Sequence, residues 1–197
     1  MIMPVDEHVL CIPASHFRAV GEFEGFRRAD ETYRLSLLDA SQYRFLPRTE
    51  CETDPAWLQL IPYVVLKCGS QLFHYRRGAS GTETRLRALR SVGIGGHISE
   101  ADAAGELDPY RTGMLREVSE EVTHAAVVSE RLFGFIFDPR TPVGRVHLGV
   151  VHLWELAEPT ATPKEAALME AGFAEVTELM RNQEEFETWS QFAFGEL

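Results

Sequence analysis

Gly95-Gly96-His97-Ile98, followed after a polar loop by Asp108-Pro109 and then by Arg116-Glu117-Val118-Ser119-Glu120-Glu121-Val122, is the stretch around which this chain is organised. Asp108-Pro109 is a helix start. Asp at the N-cap accepts from free N–H groups of the first turn, and Pro at the first helical position loses nothing by its missing N–H. A helix from there to about Thr123 places Leu115, Val118 and Val122 on one apolar stripe. Glu117, Glu120 and Glu121 fall on a different face, within about 100° of one another, with Arg116 at its flank. Carboxylates crowded in this way repel unless positive charge sits among them. One Arg cannot neutralise three of them. A hard divalent cation, which prefers oxygen ligands, can. The double glycine ahead of the helix allows a backbone carbonyl to approach as a further ligand. An acidic helix face is more often simply solvated. Here the surrounding order speaks against that: strand-like Ser91-Val92-Gly93-Ile94, two glycines, an acidic loop, a capped helix, then the Arg-Glu-x-x-Glu-Glu run.

These residues resemble the Nudix hydrolase family. The family's box runs Gly, five residues, Glu, seven residues, then Arg-Glu-U-x-Glu-Glu-x-Gly-U, with U aliphatic. Arg116 to Glu121 match the helical part at every fixed position, and Gly96 matches the first glycine. Gly105-Glu106 looks like the family's Gly-Glu pair, but the loop is longer on both sides of it. Asp102 and Asp108 are the alternatives at the acidic position if no gap is allowed, and Thr123-His124 stand where Gly and an aliphatic residue are expected. Gln59 to Leu66, Tyr75-Arg76-Arg77, Arg85-Leu86 and Ser91 to Ile98 are similar to a little-characterised Nudix branch known only as predicted phosphoesterases.

The resemblance implies an α/β (α+β) Nudix fold, a mixed β-sheet sandwiched between helices. Residues 1–56 form an N-terminal extension packed on the core, and residues 57–197 the Nudix domain. It further implies a Mg²⁺- or Mn²⁺-dependent pyrophosphohydrolase cleaving a phosphoanhydride in a nucleoside diphosphate linked to another group. Glu117 and Glu121 are the implied central metal ligands, with Glu120 ligating a second ion or acting nearby. A Gly95 or Gly96 carbonyl completes the set, and Arg116 orients the carboxylates. Arg85, His97, Glu106 and Glu155 are the candidates for substrate contact. The proton acceptor stays open among Glu117, Glu120, Glu106 and a distal carboxylate, with Glu155, Glu165 and Glu170 as the distal choices. Two other readings remain. A Nudix-fold protein can bind a nucleotide and regulate without hydrolysis, and the isoprenoid diphosphate isomerase branch uses a cysteine, for which Cys51 and Cys68 are present.

Composition bounds the rest. The 197 residues, 45% hydrophobic and 25% charged, are those of an ordinary soluble globule with a sizeable core. A formal net charge of −11 argues against gripping nucleic acid or an anionic membrane. A small phosphorylated substrate is compatible with it, because a metal and local arginines reverse the sign inside a site. Cys11, Cys51 and Cys68 show no metal-ligand spacing and read as reduced thiols of a cytoplasmic protein. No signal peptide or membrane-length apolar run is visible. A homodimer is compatible with the extension.

Local patterning predicts strands at His8–Ile12, Leu58–Lys67, Leu72–Arg76, Arg131–Asp138, Val146–Leu156 and Gly172–Val176. It predicts helical turns at Ser15–Val20 and Lys164–Ala171, with Thr177 as a further N-cap. Residues 159–163 read as a loop. Aromatic and Arg residues interleaved over residues 21–56 read as packing of the extension rather than as a nucleotide clamp. The aromatic tail from Phe186 to Phe194 reads as core.

Overall fold

The computed structural model describes residues 7–78, 89–105 and 108–197. It is an α+β fold with a large mixed sheet and several helices, as expected. In chain order it begins with β1 (His8–Pro13), α1 (Ala14–Gly21), β2 (Gly25–Arg28), α2 (Glu31–Leu37), β3 (Arg44–Pro47) and α3 (Arg48–Cys51). The hairpin β4 (Trp57–Cys68) and β5 (Gln71–Arg77) follows, then β6 (Arg90–Ser91) and β7 (Gly93–Ile94). Helix α4 (Pro109–Glu121) leads into β8 (Val122–His124), β9 (Val127–Phe137), β10 (His147–Leu156), β11 (Ala161–Pro163) and β12 (Leu168–Glu175). Two short helices, α5 (Val176–Arg181) and α6 (Thr188–Phe194), end the chain.

The chain folds into two compact units. Unit one contains the residues up to Pro62 together with Gly96–Leu115 and Gly134–Val150. There β1 pairs antiparallel with β3 and with the start of β4, and β2 pairs with the end of β9. Asp30 caps α2 by accepting from the Tyr33 N–H at 2.9 Å. Phe17, fully buried, meets Phe23 and Phe137 edge-on at 5.3 and 5.1 Å. Burying a side chain of this size contributes roughly 1.5–3 kcal/mol. Arg27 lies 4.8 Å over the Tyr33 ring. Within residues 21–56, Phe23, Tyr33 and Arg27 thus pack on one another and on the buried Phe17.

Unit two contains Tyr63–Gly95, Arg116–Phe133 and Val151–Leu197. Here β5 pairs with the end of β4, with β6 and with β12; β7 pairs with β4, and β8 with β11. Phe73 and Phe173 face each other across β5 and β12, with ring centres 5.6 Å apart. The expected aromatic tail packs too: Phe186 and Phe194 are buried and meet at 5.0 Å.

Five expectations need correction. The segment expected to be helical at Lys164–Ala171 instead ends in strand β12, and the expected loop at 159–163 contains β11. Lys-Glu-Ala-Ala-Leu-Met-Glu favours helix locally, but a helix would leave the edges of β5 and β8 unpaired; tertiary pairing overrides the propensity. Glu175, not Thr177, occupies the N-cap of α5. On α4 the buried residues are Tyr110, Met114 and Val118, whereas Leu115 is 37% exposed; the helix stops at Glu121 and Val122 opens a strand.

Candidate active site

The Asp108-Pro109 start behaves as read: Asp108 Oδ1 accepts from the Arg111 N–H at 3.2 Å, and the helix begins at Pro109. The long loop before it contains a short 3₁₀ turn, Glu100–Ala104, closed by a capping box. In that box Ser99 accepts from Ala101 N–H, and buried Asp102 accepts from Ser99 N–H at 2.8 Å. Asp102 and Asp108, the alternatives for the acidic loop position, are thus both engaged in capping. The backbone of β1 ties the loop down, with Leu10 N–H donating to the Ile98 carbonyl at 2.9 Å. His97 sits in the same unit against His147, their Nε2 atoms 3.5 Å apart. Burial, Arg48 and His147 together push His97 down to about 3, so it is a neutral imidazole.

The acidic face forms as expected around Glu121. The Gly95 N–H hydrogen-bonds its carboxylate. Gly95 has φ 149°, a conformation that a side chain would strain, and this is how the glycine turn presents its N–H. The other oxygen, Oε2, is shielded from solvent and has no hydrogen-bond partner among the described residues. Burial pushes the Glu121 carboxyl up to about 8; Glu117 and Glu165 push the same way, against the Arg77 charge and the Gly95 N–H. Arg116 Nη1 donates to Glu117 Oε1 at 2.9 Å and to Glu120 Oε2 at 3.1 Å.

Glu165 arrives by strand register. Pro163 pairs with Val122 across β11 and β8, and the Lys164 N–H donates to the Glu121 carbonyl at 2.8 Å. The next residue, Glu165, lies where its charge is felt at Glu121. The other distal candidates are held elsewhere. Glu155 accepts from the Gly69 N–H at 2.7 Å and from Lys67 Nζ at 3.3 Å, bracing the β4–β5 turn. Glu170, at the bulge of β12, pairs with Arg76 and Arg90. Arg85 and Glu106 lie outside the described residues.

The residue that sequence reading missed is Arg77. Its guanidinium lies 5.6 Å over the Tyr75 ring, with Nη2 3.7 Å from the carboxylate of Glu187. Glu187 is buried and fixed: its Oε1 accepts from Ser91 Oγ at 2.6 Å and from Tyr63 OH at 3.0 Å. The readable signal was period two. Phe73, Tyr75 and Arg77 share one face of β5, and a charge in series with two buried aromatics needs an anionic partner.

Among the described residues no three His, Cys, Asp or Glu side chains converge as ligands of one ion. The donor chemistry nonetheless fits a hard divalent cation. A shielded carboxylate oxygen lacks a partner among the described residues, the charges of Glu117 and Glu165 act on the same carboxyl, and all these groups offer oxygen.

Over 159 residues the chain is 33% identical to Protein YmaB of Bacillus subtilis (strain 168), which covers 76% of each chain. The crystal structure of Tm1382, a protein assigned to the Nudix hydrolases, matches with a TM-score of 0.81 and 33% identity, over 96% of this chain and 97% of that one. The chain belongs to the Nudix hydrolase family. A Nudix hydrolase from Alicyclobacillus acidocaldarius shares the fold at a TM-score of 0.50 and 13% identity, over 70% of this chain and 90% of that one. No protein-family model matches the chain. The chain is therefore a hydrolase of the Nudix type, and the family resemblance holds. Among the described residues no helix is long and apolar enough to cross a membrane.

Proposed function

We propose that this Nudix hydrolase cleaves a phosphoanhydride bond in a nucleoside diphosphate joined to another group, with Mg²⁺ or Mn²⁺ bound on α4. The observation that carries this reading is the shielded, partnerless Oε2 of Glu121, set beside the Gly95 N–H on the acidic face of the helix. Glu121, Glu117 and Glu120 would hold the ion, together with a Gly95 or Gly96 carbonyl. When bound, the ion polarises a phosphoryl oxygen and lowers the pKa of a water. The chain's own groups do the rest. The Gly95 N–H fixes the rotamer of Glu121, and Arg116 holds Glu117 and Glu120 side by side. Glu165, exposed and adjacent, is the carboxylate best placed to accept a proton from the attacking water.

One observation favours a non-catalytic nucleotide-binding regulator: Arg116 pairs with both Glu117 and Glu120 and offsets part of their charge. A panel of nucleoside diphosphate derivatives with Mg²⁺ or Mn²⁺ separates the two readings. Hydrolysis of a panel member, reduced by three orders of magnitude or more in folded Glu121→Gln, supports the enzyme. A wild-type protein that hydrolyses nothing while panel members raise its Tm supports the regulator.

A further inference from the structure

We propose that Arg77 is the anion-holding residue of this site, its guanidinium gripping a phosphoryl oxygen of the substrate. The inference rests on the reading of α4 as a catalytic helix for a phosphorylated substrate. Among the described residues of unit two, Arg76, Arg77, Arg90 and Arg116 each face a carboxylate. Arg116 serves Glu117 and Glu120. Arg76 and Arg90 share Glu170, and Arg76 also faces Glu185. Arg77 differs. Its ion pair with Glu187, at 3.7 Å, is longer than a hydrogen bond, and its Nε–H is shielded with no partner among the described residues. Yet the side chain keeps 31% of its surface open to a ligand.

The surroundings explain how a charged fork is kept there with its Nε–H unpaired among the described residues. Glu187 Oε1 is occupied by the hydroxyls of Tyr63 and Ser91. Ser190, from α6, hydrogen-bonds Tyr63 OH at 2.8 Å and accepts from the Val92 N–H at 3.1 Å, which locks the cluster. Glu187 thus supplies countercharge from 3.7 Å, beyond hydrogen-bond length, to Nη2 of the guanidinium. The Tyr75 ring supports the guanidinium from below by cation–π attraction. The same arginine is the nearby positive charge that acts on Glu121. A planar, permanently charged donor beside the metal-helix carboxylate matches the oxygens of a diphosphate, which need a second positive contact besides a cation.

The test uses imidodiphosphate, a diphosphate analogue whose central nitrogen resists hydrolysis, titrated by calorimetry into wild type, Arg77→Met and Arg77→Lys, with and without Mg²⁺. Free Mn²⁺ is followed separately by its electron paramagnetic resonance signal. Arg77→Met is expected to weaken imidodiphosphate at least tenfold while Mn²⁺ affinity stays within about threefold. Arg77→Lys, which keeps the charge but not the fork, is expected to recover part of the loss and guards against misfolding of the Met variant. Unchanged anion affinity in both variants overturns the proposal. So does an equal loss of Mn²⁺ and anion, which would make Arg77 a support for Glu121 alone. If wild type binds no Mn²⁺, the metal reading fails, and the titrations without metal still decide the role of Arg77.

Discussion

Burial acts on Glu121 and His74 through the same cause, the lost hydration of the charged form, and moves them in opposite directions. The carboxyl goes up to about 8 and the imidazole down to about 4. His74 packs edge-on against Phe186, its Nδ1 has no partner among the described residues, and Arg90 lowers it further. Its folded value lies below the ordinary 6.5, so between pH 6.5 and about 4 the unfolded chain binds the extra proton. Stability from neutral His74 is therefore present above pH 6.5 and is lost as the pH falls towards 4. Chemical denaturation of His74→Leu at several pH values in that window should show an acid limb shallower than wild type by about 1.4 kcal/mol per pH unit. Parallel limbs would place the proton elsewhere.

Among the elements, the β8–β11 ladder matters more to the site than its length suggests. It follows α4 directly, and its register brings Glu165 to the neighbourhood of Glu121. Three distal glutamates were indistinguishable in the sequence, Glu155 near the end of an expected strand and Glu165 and Glu170 in an expected helical segment. Strand pairing and the β4–β5 turn separated them: Glu155 is held by Gly69 and Lys67, Glu170 by Arg76 and Arg90. Glu165→Gln should accordingly lower turnover by about a hundredfold, the scale of a general base. Glu170→Gln should stay within about twofold of wild type, since exposed ion pairs contribute little. Equal rates for the two variants would remove Glu165 from the mechanism. Tyr63 shows a related dependence on elements. Its ring covers Gly93 so closely that a Cβ there would lie 2.2 Å from it, so β7 must carry glycine for the Glu187 cluster to form.

For the molecule as a whole, a net charge of −11 and a crowded acidic face make cation binding a stabilising event. If the ion binds only the folded chain, Mn²⁺ at about a hundredfold over its Kd adds about 2.7 kcal/mol. For a chain of this size that corresponds to a Tm rise of about 5–10 °C. Differential scanning calorimetry should find the rise reversed by chelator and absent in Glu121→Gln. An equal rise in that variant would place the cation away from α4.

The sequence by itself determined the helix with its Asp108-Pro109 start, the glycine turn and the β4–β5 hairpin. Those are local facts, encoded in capping chemistry, in backbone freedom at Gly95 and in the 3.6-residue and two-residue periods. Residues with local helix preference at 164–171 became turn and strand because neighbouring strand edges needed partners. The choice of Glu165, the capping use of Asp102 and the exposure of Leu115 likewise came from packing. So did the setting of Arg77 by Glu187, since residues 110 positions apart in the chain meet only once β5 and the C-terminal segment have folded together. Each of these depends on which residues meet across the chain, and no local period encodes that.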